Sequence, residues 1–306
     1  MAAGTGGGGP RDWRRILHEK VVVEQRCLAT GARRALYLTA MLLAVAGLSV
    51  FSATLVGVVD HDGLAGVDGP ARHWFLTVRS DALTAVMMAI AVVFGPVVMP
   101  LIVLVFTVAW GVRARHAWRP LLLAGAMMVG VGLAQVIARS VQRRRPPVDQ
   151  MMLGADHTFS FPSGHVLGAA DFLLVTTFLL VSRGRWRRAA APGFAAASLG
   201  VLLVAVSRVY LGYHWITDAV ASVSLSLVVL AAVIALDTWR TARSPGRRAG
   251  PVGGGPAQGV RCILWIAACA RGLTTSWSMF TWCGRESVHA MHSATSSAES
   301  GPGTPA

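Results

Sequence analysis

The sequence predicts an all-α, polytopic membrane protein with six transmembrane helices. Three observations carry that expectation. The chain is 54% hydrophobic and only 14% charged, whereas a soluble domain carries about a quarter charged residues. Its apolar residues gather into runs near the roughly 17–25 residues that a bilayer-crossing helix needs. The basic residues between those runs fall mostly on one side of a six-span arrangement.

The runs follow in order. Ala35–Val59 is too long for the apolar part of a secretory signal and has no clear small-residue cleavage site, so it reads as an uncleaved span. Ala82–Trp110 contains Gly95, Pro96 and Pro100, which predict one kinked span and not two helices. Leu121–Ala138 is the third. Val166–Val181 is near the lower length limit and is completed from its flanks. Ala189–Val206 and Ala219–Leu236 close the set.

These spans define a transmembrane domain over residues 35–240, between a basic arm at 1–34 and a tail at 241–306. The Gly/Ala-rich start predicts disorder over residues 1–10, and the mixed basic and apolar pattern at 11–34 suits a short interfacial helix. The tail opens with SPGRRAGPVGGGP, a flexible linker by composition. Its one apolar stretch, CILWIAACA, is too short to span, and the tail is otherwise expected to be disordered.

The net charge of +14 invites a nucleic-acid partner, but its distribution fits a membrane. One side of the arrangement holds only Arg72, Arg79, Arg139, Arg143, Arg144, Arg145 and Arg208; the rest of the 28 Lys and Arg residues lie on the other side. The positive-inside rule then puts both termini in the cytoplasm, where basic flanks favour anionic lipid headgroups. Nucleic acid has no part in this. Cys27, Cys262, Cys269 and Cys283 lie in no outward loop and form no CxxC pair, so they read as free thiols without a disulfide framework or zinc site.

Most of the outward arginines cluster in RSVQRRRPP (139–147) and SRVYLGYH (207–214). Charge on the translocated side works against the topology bias, so clustering at span mouths points to an anionic ligand. In HWITD, the i,i+4 spacing puts His214 and Asp218 on one helical face. A carboxylate bound to one ring nitrogen leaves the other free as nucleophile or base; alternatively, Asp218 merely suits a helix N-terminus. In FPSGHV, a helix starting near Ser163 directs unsatisfied N–H groups outward, where an anion can sit. Ser163 offers a hydroxyl, Gly164 permits close backbone approach, and His165 adds a proton near neutral pH.

These segments resemble the type 2 phosphatidic acid phosphatase family, which shares its site with vanadium haloperoxidases and bacterial class A acid phosphatases. The Pro-Ser-Gly-His segment is intact as Pro162-Ser163-Gly164-His165, and Ser-Arg-x5-His-x3-Asp is intact from Ser207-Arg208 to His214 and Asp218. Of Lys-x6-Arg-Pro, Arg145-Pro146 is present, but Ala138 stands where the family has Lys, with Arg139 one residue later.

The resemblance implies a helical bundle of that family and a lipid phosphatase working through a phosphohistidine at the extracytoplasmic face. His214 would be the nucleophile, Asp218 would orient its ring, and His165 would protonate the leaving oxygen and then activate water. Arg145, Ser163, Gly164 and Arg208 would hold the phosphoryl oxygens, with Arg139 as a further candidate. The cations would fill the electrostatic role a metal plays elsewhere, so no metal or cofactor is implied. The partners expected are the bilayer and a membrane lipid substrate, and oligomeric state is left open. A polyprenyl diphosphate such as undecaprenyl diphosphate suits an arginine-rich outward site. The alternatives are phosphatidic acid, phosphatidylglycerol phosphate, transfer of the phosphoryl group to another lipid, and a non-catalytic scaffold that binds lipid phosphate.

Overall fold

The computed structural model describes residues 26–182 and 188–243 of the chain. The described residues contain eight α-helices: α1 (Thr30–Asp60), α2 (Asp68–Thr77), α3 (Asp81–Val93), α4 (Val98–Arg113), α5 (Trp118–Val141), α6 (Gly164–Val181), α7 (Ala190–Tyr210) and α8 (Ile216–Thr241). The one extended pairing among them is two residues long, Arg26–Cys27 (β1) parallel to Ala242–Arg243 (β2), and it joins the start of α1 to the end of α8. The architecture is all-α. The readings of residues 1–25, of the basic loop at 183–187 and of the tail from 244 onward, with Cys262, Cys269 and Cys283, lie outside the described residues.

Five of the helices are long and apolar enough to cross a bilayer, and α3 with α4 gives a sixth span if the bent pair is counted as one. In α8 61% and in α6 56% of the apolar window is buried, against 22% in α1 and α7; α6 and α8 are therefore the inner helices. The outer helices expose Leu42, Met128 and Leu202, side chains that water would penalise and a hydrocarbon phase accepts. This is a multi-pass membrane protein. Where apolar burial gives little drive between helices, close packing must hold them together. Gly47 supplies it between α1 and α8, since a Cβ there would stand 2.5 Å from the Ser224 carbonyl oxygen.

The expected single kinked span at Ala82–Trp110 is instead two helices bent by 51° at a short break. Pro96 has no N–H, and it disfavours helical geometry at Gly95 before it. α3 buries Thr84, Met87 and Ala91, and Met87 and Ala91 pack on Tyr210, Leu211 and Tyr213. The Tyr210 hydroxyl lies 2.9 Å from Thr84 Oγ1 and accepts the Ser80 N–H at 3.0 Å. At the break, a Cβ on Gly95 would lie 3.7 Å from His165 Nε2. α3 thus lines the end of the bundle at which α6 and α8 begin. At the opposite end the Trp118 indole donates to Asp237 Oδ1 at 3.0 Å, with Arg240 over its ring.

Candidate active site

Three chain reversals bring the sequence motifs to one end of the bundle. α5 ends at Gln142 in the left-handed conformation (φ 52°), which sends Arg143–Pro146 back across the mouth. The next segment reaches the start of α6 through Phe161 and Pro162, whose peptide bond is cis. Between α7 and α8 the chain turns at Gly212, with φ of 82°, where a Cβ would stand 2.6 Å from the Gln150 carbonyl oxygen. Only glycine fits there without strain.

His214 follows that turn and is 3% exposed. Its Nδ1 lies 2.8 Å from the Ser160 carbonyl oxygen, and its Nε2 lies 3.1 Å from Arg145 Nη1. A carbonyl can only accept and a guanidinium can only donate, so Nδ1 carries the proton and the Nε2 lone pair faces the site. Burial lowers the His214 pKa well below the usual histidine value, and the charges of Arg145 and Arg208 lower it further. The ring is neutral at neutral pH.

Asp218 lies 3.4 Å from His214 Nδ1, farther than the Ser160 oxygen. Its Oδ2 accepts the Trp215 N–H at 2.9 Å and so caps the start of α8, while Oδ1 accepts from Arg143 Nη1 at 2.5 Å. The capping and the histidine-facing readings of HWITD are therefore both realised in one carboxylate. Arg143 Nη2 donates to Asp68 Oδ2 at 2.6 Å, and Asp68 also accepts the Thr217 N–H at 3.0 Å and the Thr217 hydroxyl at 2.6 Å.

Arg145 is anchored by protein acceptors. Nη1 donates to the Tyr213 carbonyl at 2.7 Å, Nε to the Thr158 carbonyl at 3.1 Å, and Nη2 to Thr158 Oγ1 at 2.8 Å. Nη2 also pairs with Asp156 at 3.0 Å. Burial lowers the Arg145 pKa from its ordinary value against the opposing charge of Asp156. Burial acts to raise the Asp156 carboxyl, but hydrogen bonds from Thr158 and the Arg145 charge hold it below the usual range. The Tyr213 hydroxyl ties this loop down, accepting the Leu153 N–H at 2.7 Å and donating to the Gly154 carbonyl at 2.6 Å.

Two groups remain uncommitted. Arg208, in the last turn of α7, is 4% exposed and lies over the Tyr213 ring at 4.4 Å from its centroid. Its Nε has no acceptor among the described residues. Ser163 occupies the N-cap position of α6 in extended conformation, yet its hydroxyl makes no capping bond and has no partner among the described residues. The ordinary N-cap reading of this serine thus holds for its position and not for its Oγ. Gly164 and His165 form the exposed and half-buried start of α6, where the first N–H groups have no partner within the helix.

The remaining site candidate, Arg139, is placed elsewhere. α5 buries Gly130 and Ala134, and at about 100° per residue Arg139 lies roughly 140° round from Ala134, while Ala138 lies about 40° round. Arg139 is exposed and Ala138 half-buried. Helical phase, not chain distance, separates Arg139 from the cluster.

The comparisons with known proteins bear on this arrangement. A family model described as "PAP2 superfamily" matches residues 119–242, the stretch that contains all three motifs. Over this stretch the chain resembles the PAP2 superfamily. Phosphatidylglycerophosphatase B of Bacillus subtilis (strain 168) is 28% identical over 192 residues, covering 62% of this chain and 93% of that protein. Among solved structures, the first transmembrane PAP2 type phosphatidylglycerolphosphate phosphatase from Bacillus subtilis matches with a TM-score of 0.57 and 25% identity, covering 63% of this chain and 96% of that one.

In this chain, two other outward arginines serve the fold. Arg72 donates to the Gln150 side chain at 2.8 Å, and Arg79 to the carbonyls of Tyr210 at 2.8 Å and Gln150 at 3.0 Å. Asp171, the intramembrane carboxylate of α6, is buried against Gly130 of α5, two turns from the helix start. Sequence reasoning missed Asp68, Ser160, Asp156 and Tyr213 as site neighbours, and saw Arg143 only as one of a basic cluster. Asp156 and Tyr213 lie close to motif residues in the chain, which was the available signal. Ser160 acts through its backbone and Asp68 from a distant loop, so neither carries one. Among the described residues, no group of three or more His, Cys, Asp or Glu is arranged to hold a metal ion.

Proposed function

We propose that the protein hydrolyses the phosphate monoester of a phospholipid, of the phosphatidylglycerol phosphate or phosphatidic acid type, at the extracytoplasmic face. The observation that carries this reading is the pair of buried, uncommitted donors, Arg208 Nε and Ser163 Oγ. A buried guanidinium without an acceptor is costly, and a phosphoryl group satisfies it with charge-assisted bonds. The start of α6 adds backbone N–H groups and the positive end of a helix.

In the proposed reaction, His214 Nε2 attacks phosphorus while the bond to the lipid oxygen breaks, and His165 donates its proton to that oxygen. His165 then takes a proton from water, whose oxygen attacks phosphorus as the P–N bond breaks, releasing inorganic phosphate and restoring both histidines. Ser160 holds the tautomer that leaves Nε2 unprotonated, and the lone pair that faces Arg145 Nη1 turns to phosphorus. Arg145, Arg208, Ser163 Oγ and the Gly164 N–H stabilise the equatorial oxygens.

Cation count favours a monoester over undecaprenyl diphosphate. Arg72, Arg79 and Arg143 are spent on protein acceptors and Arg145 is shared with Tyr213, Thr158 and Asp156, which leaves Arg208 as the buried cation with an open donor and weakens the argument from an arginine-rich pocket. The similarity to the Bacillus phosphatidylglycerophosphatase favours the same class. The basic flanks support a cytoplasmic location for both termini, with residues 35–240 as the catalytic domain and 1–34 and 241–306 on the cytoplasmic side.

The test is release of inorganic phosphate from a panel of phosphatidic acid, phosphatidylglycerol phosphate and undecaprenyl diphosphate by purified wild type and His214→Ala. The expected result is release from the monoesters by wild type alone, with an acid-labile phosphoenzyme. Equal release by both proteins rejects the nucleophile, and no release from any lipid supports the scaffold reading.

A further inference from the structure

We infer that Asp68 and Arg143 are positioning residues that act on His214 through Asp218, so that the first inter-span loop contributes to phosphoryl transfer. This rests on the nucleophile assignment above. The Arg143 guanidinium lies between two carboxylates, 2.5 Å from Asp218 and 2.6 Å from Asp68. Both are nearly inaccessible, with side-chain exposures of 0% and 6%. Trp215 lies against the guanidinium, 5.6 Å from its ring centroid.

Asp68 starts α2 and is far in sequence from the α8 start that it binds. It accepts the Thr217 N–H and hydroxyl, while Asp218 accepts the Trp215 N–H. The first turn of α8 is therefore held by one carboxylate from inside the helix and one from α2, with Arg143 joining them. Capping accounts for Asp68 at Thr217 and Asp218 at Trp215, but it does not require a cation between the two acids.

The charge balance gives the arrangement a chemical consequence. Two carboxylates and one guanidinium leave one net negative charge behind His214. That charge is of little use to the neutral ring, and it stabilises the cationic ring that forms as Nε2 bonds to phosphorus. Without Asp68, the whole Arg143 charge would fall on Asp218 and cancel it. Asp68 therefore acts on the transition state more than on substrate binding, which separates kcat from KM.

The experiment is a double-mutant cycle of Asp68→Asn and Asp218→Asn on the purified full chain, using the lipid phosphate that wild type hydrolyses. It reads kcat, KM, inhibition by inorganic phosphate, and the melting temperature. Removing one charge behind a buried group should lower kcat on the order of tenfold. KM and phosphate inhibition should stay within about twofold, and Asp68→Glu should restore most of the loss. In the Asp218→Asn background the Asp68→Asn penalty should largely vanish.

An equal penalty in both backgrounds, or a loss seen in phosphate inhibition and KM, overturns the inference. If Asp68→Asn loses its melting transition, Arg143→Lys takes its place in the cycle, because one ammonium cannot bridge two carboxylates as a planar fork does. A wild type that releases no phosphate overturns the hydrolase reading itself, whereas an active wild type with an indifferent Asp68→Asn overturns only the network.

Discussion

His214 donates its Nδ1–H to the Ser160 carbonyl oxygen at 2.8 Å, a shorter contact than the 3.4 Å to Asp218. The backbone just before the Pro-Ser-Gly-His segment therefore sets the tautomer of the histidine in the third motif. Two motifs far apart in the chain are one unit at this bond. The carboxylate behind the ring is left to balance charge and to cap α8.

The pH dependence of stability follows from the same burial. The folded-state pKa of His214 is depressed by burial and by Arg145 and Arg208, so below the ordinary value near 6.5 the unfolded chain binds the proton more readily than the folded one. Stability from this group is present above that value and is lost as pH falls through it. The melting temperature in detergent should drop between pH 7 and 5, and His214→Gln should flatten that part of the profile. An unchanged profile would show that other groups carry it.

Asp156 bears on affinity for the phosphoryl group. Its carboxylate pairs with Arg145 at 3.0 Å and so competes with an incoming anion for the same guanidinium. Asp156→Asn should tighten inhibition by inorganic phosphate about threefold, the scale of a partly exposed ion pair. Weaker inhibition in the variant would mean that Asp156 serves to hold Arg145 in place.

Much of this was legible in the sequence because the bilayer constrains it. Apolar length fixed the spans: α6 and α8 contain the expected runs, and α7 begins one residue inside its run and continues about a turn beyond it. The motif spacing placed His165, Arg208, His214 and Asp218 at span mouths, and the fold brings those mouths together. The α3–α4 break was visible only as Gly95-Pro96, which marks a defect without saying how far the chain turns there. The partners of Arg143 and Arg145 had no signal beyond the nearness of Asp156 and Tyr213 to motif residues, since a basic run reads the same whether it meets a ligand, an acid or a carbonyl.

Packing of α1 on α8 gives a prediction away from the site. A methyl group at Gly47 would meet the Ser224 carbonyl, part of a helix backbone that cannot yield as a flexible side chain does. Gly47→Ala should destabilise the protein by about 1–3 kcal/mol, the usual cost of overpacking, with kcat little changed once folded. Unfolding midpoints in a denaturing-detergent titration measure it; a midpoint equal to wild type would show that α1 can slide on α8.

The departure from the Lys-x6-Arg-Pro pattern gives the last prediction. Ala138 lies on the half-buried flank of α5 and Arg139 on its exposed face, about 100° apart around the helix. A neighbouring arginine therefore does not substitute for the lysine by simple reach, and Arg139→Ala should change kcat and KM by no more than about twofold, as for other exposed sites. Ala138→Lys, by contrast, places an ammonium on the flank nearer the inner helices. A charged hydrogen bond to a phosphoryl oxygen there should strengthen phosphate inhibition on the order of tenfold. The two variants separate the alternatives: loss of binding in Arg139→Ala with no gain in Ala138→Lys would mean that α5 turns its last residues toward the site when lipid binds. The opposite pair of results would mean that this chain works with two arginines where the Lys-x6-Arg-Pro pattern has a third cation.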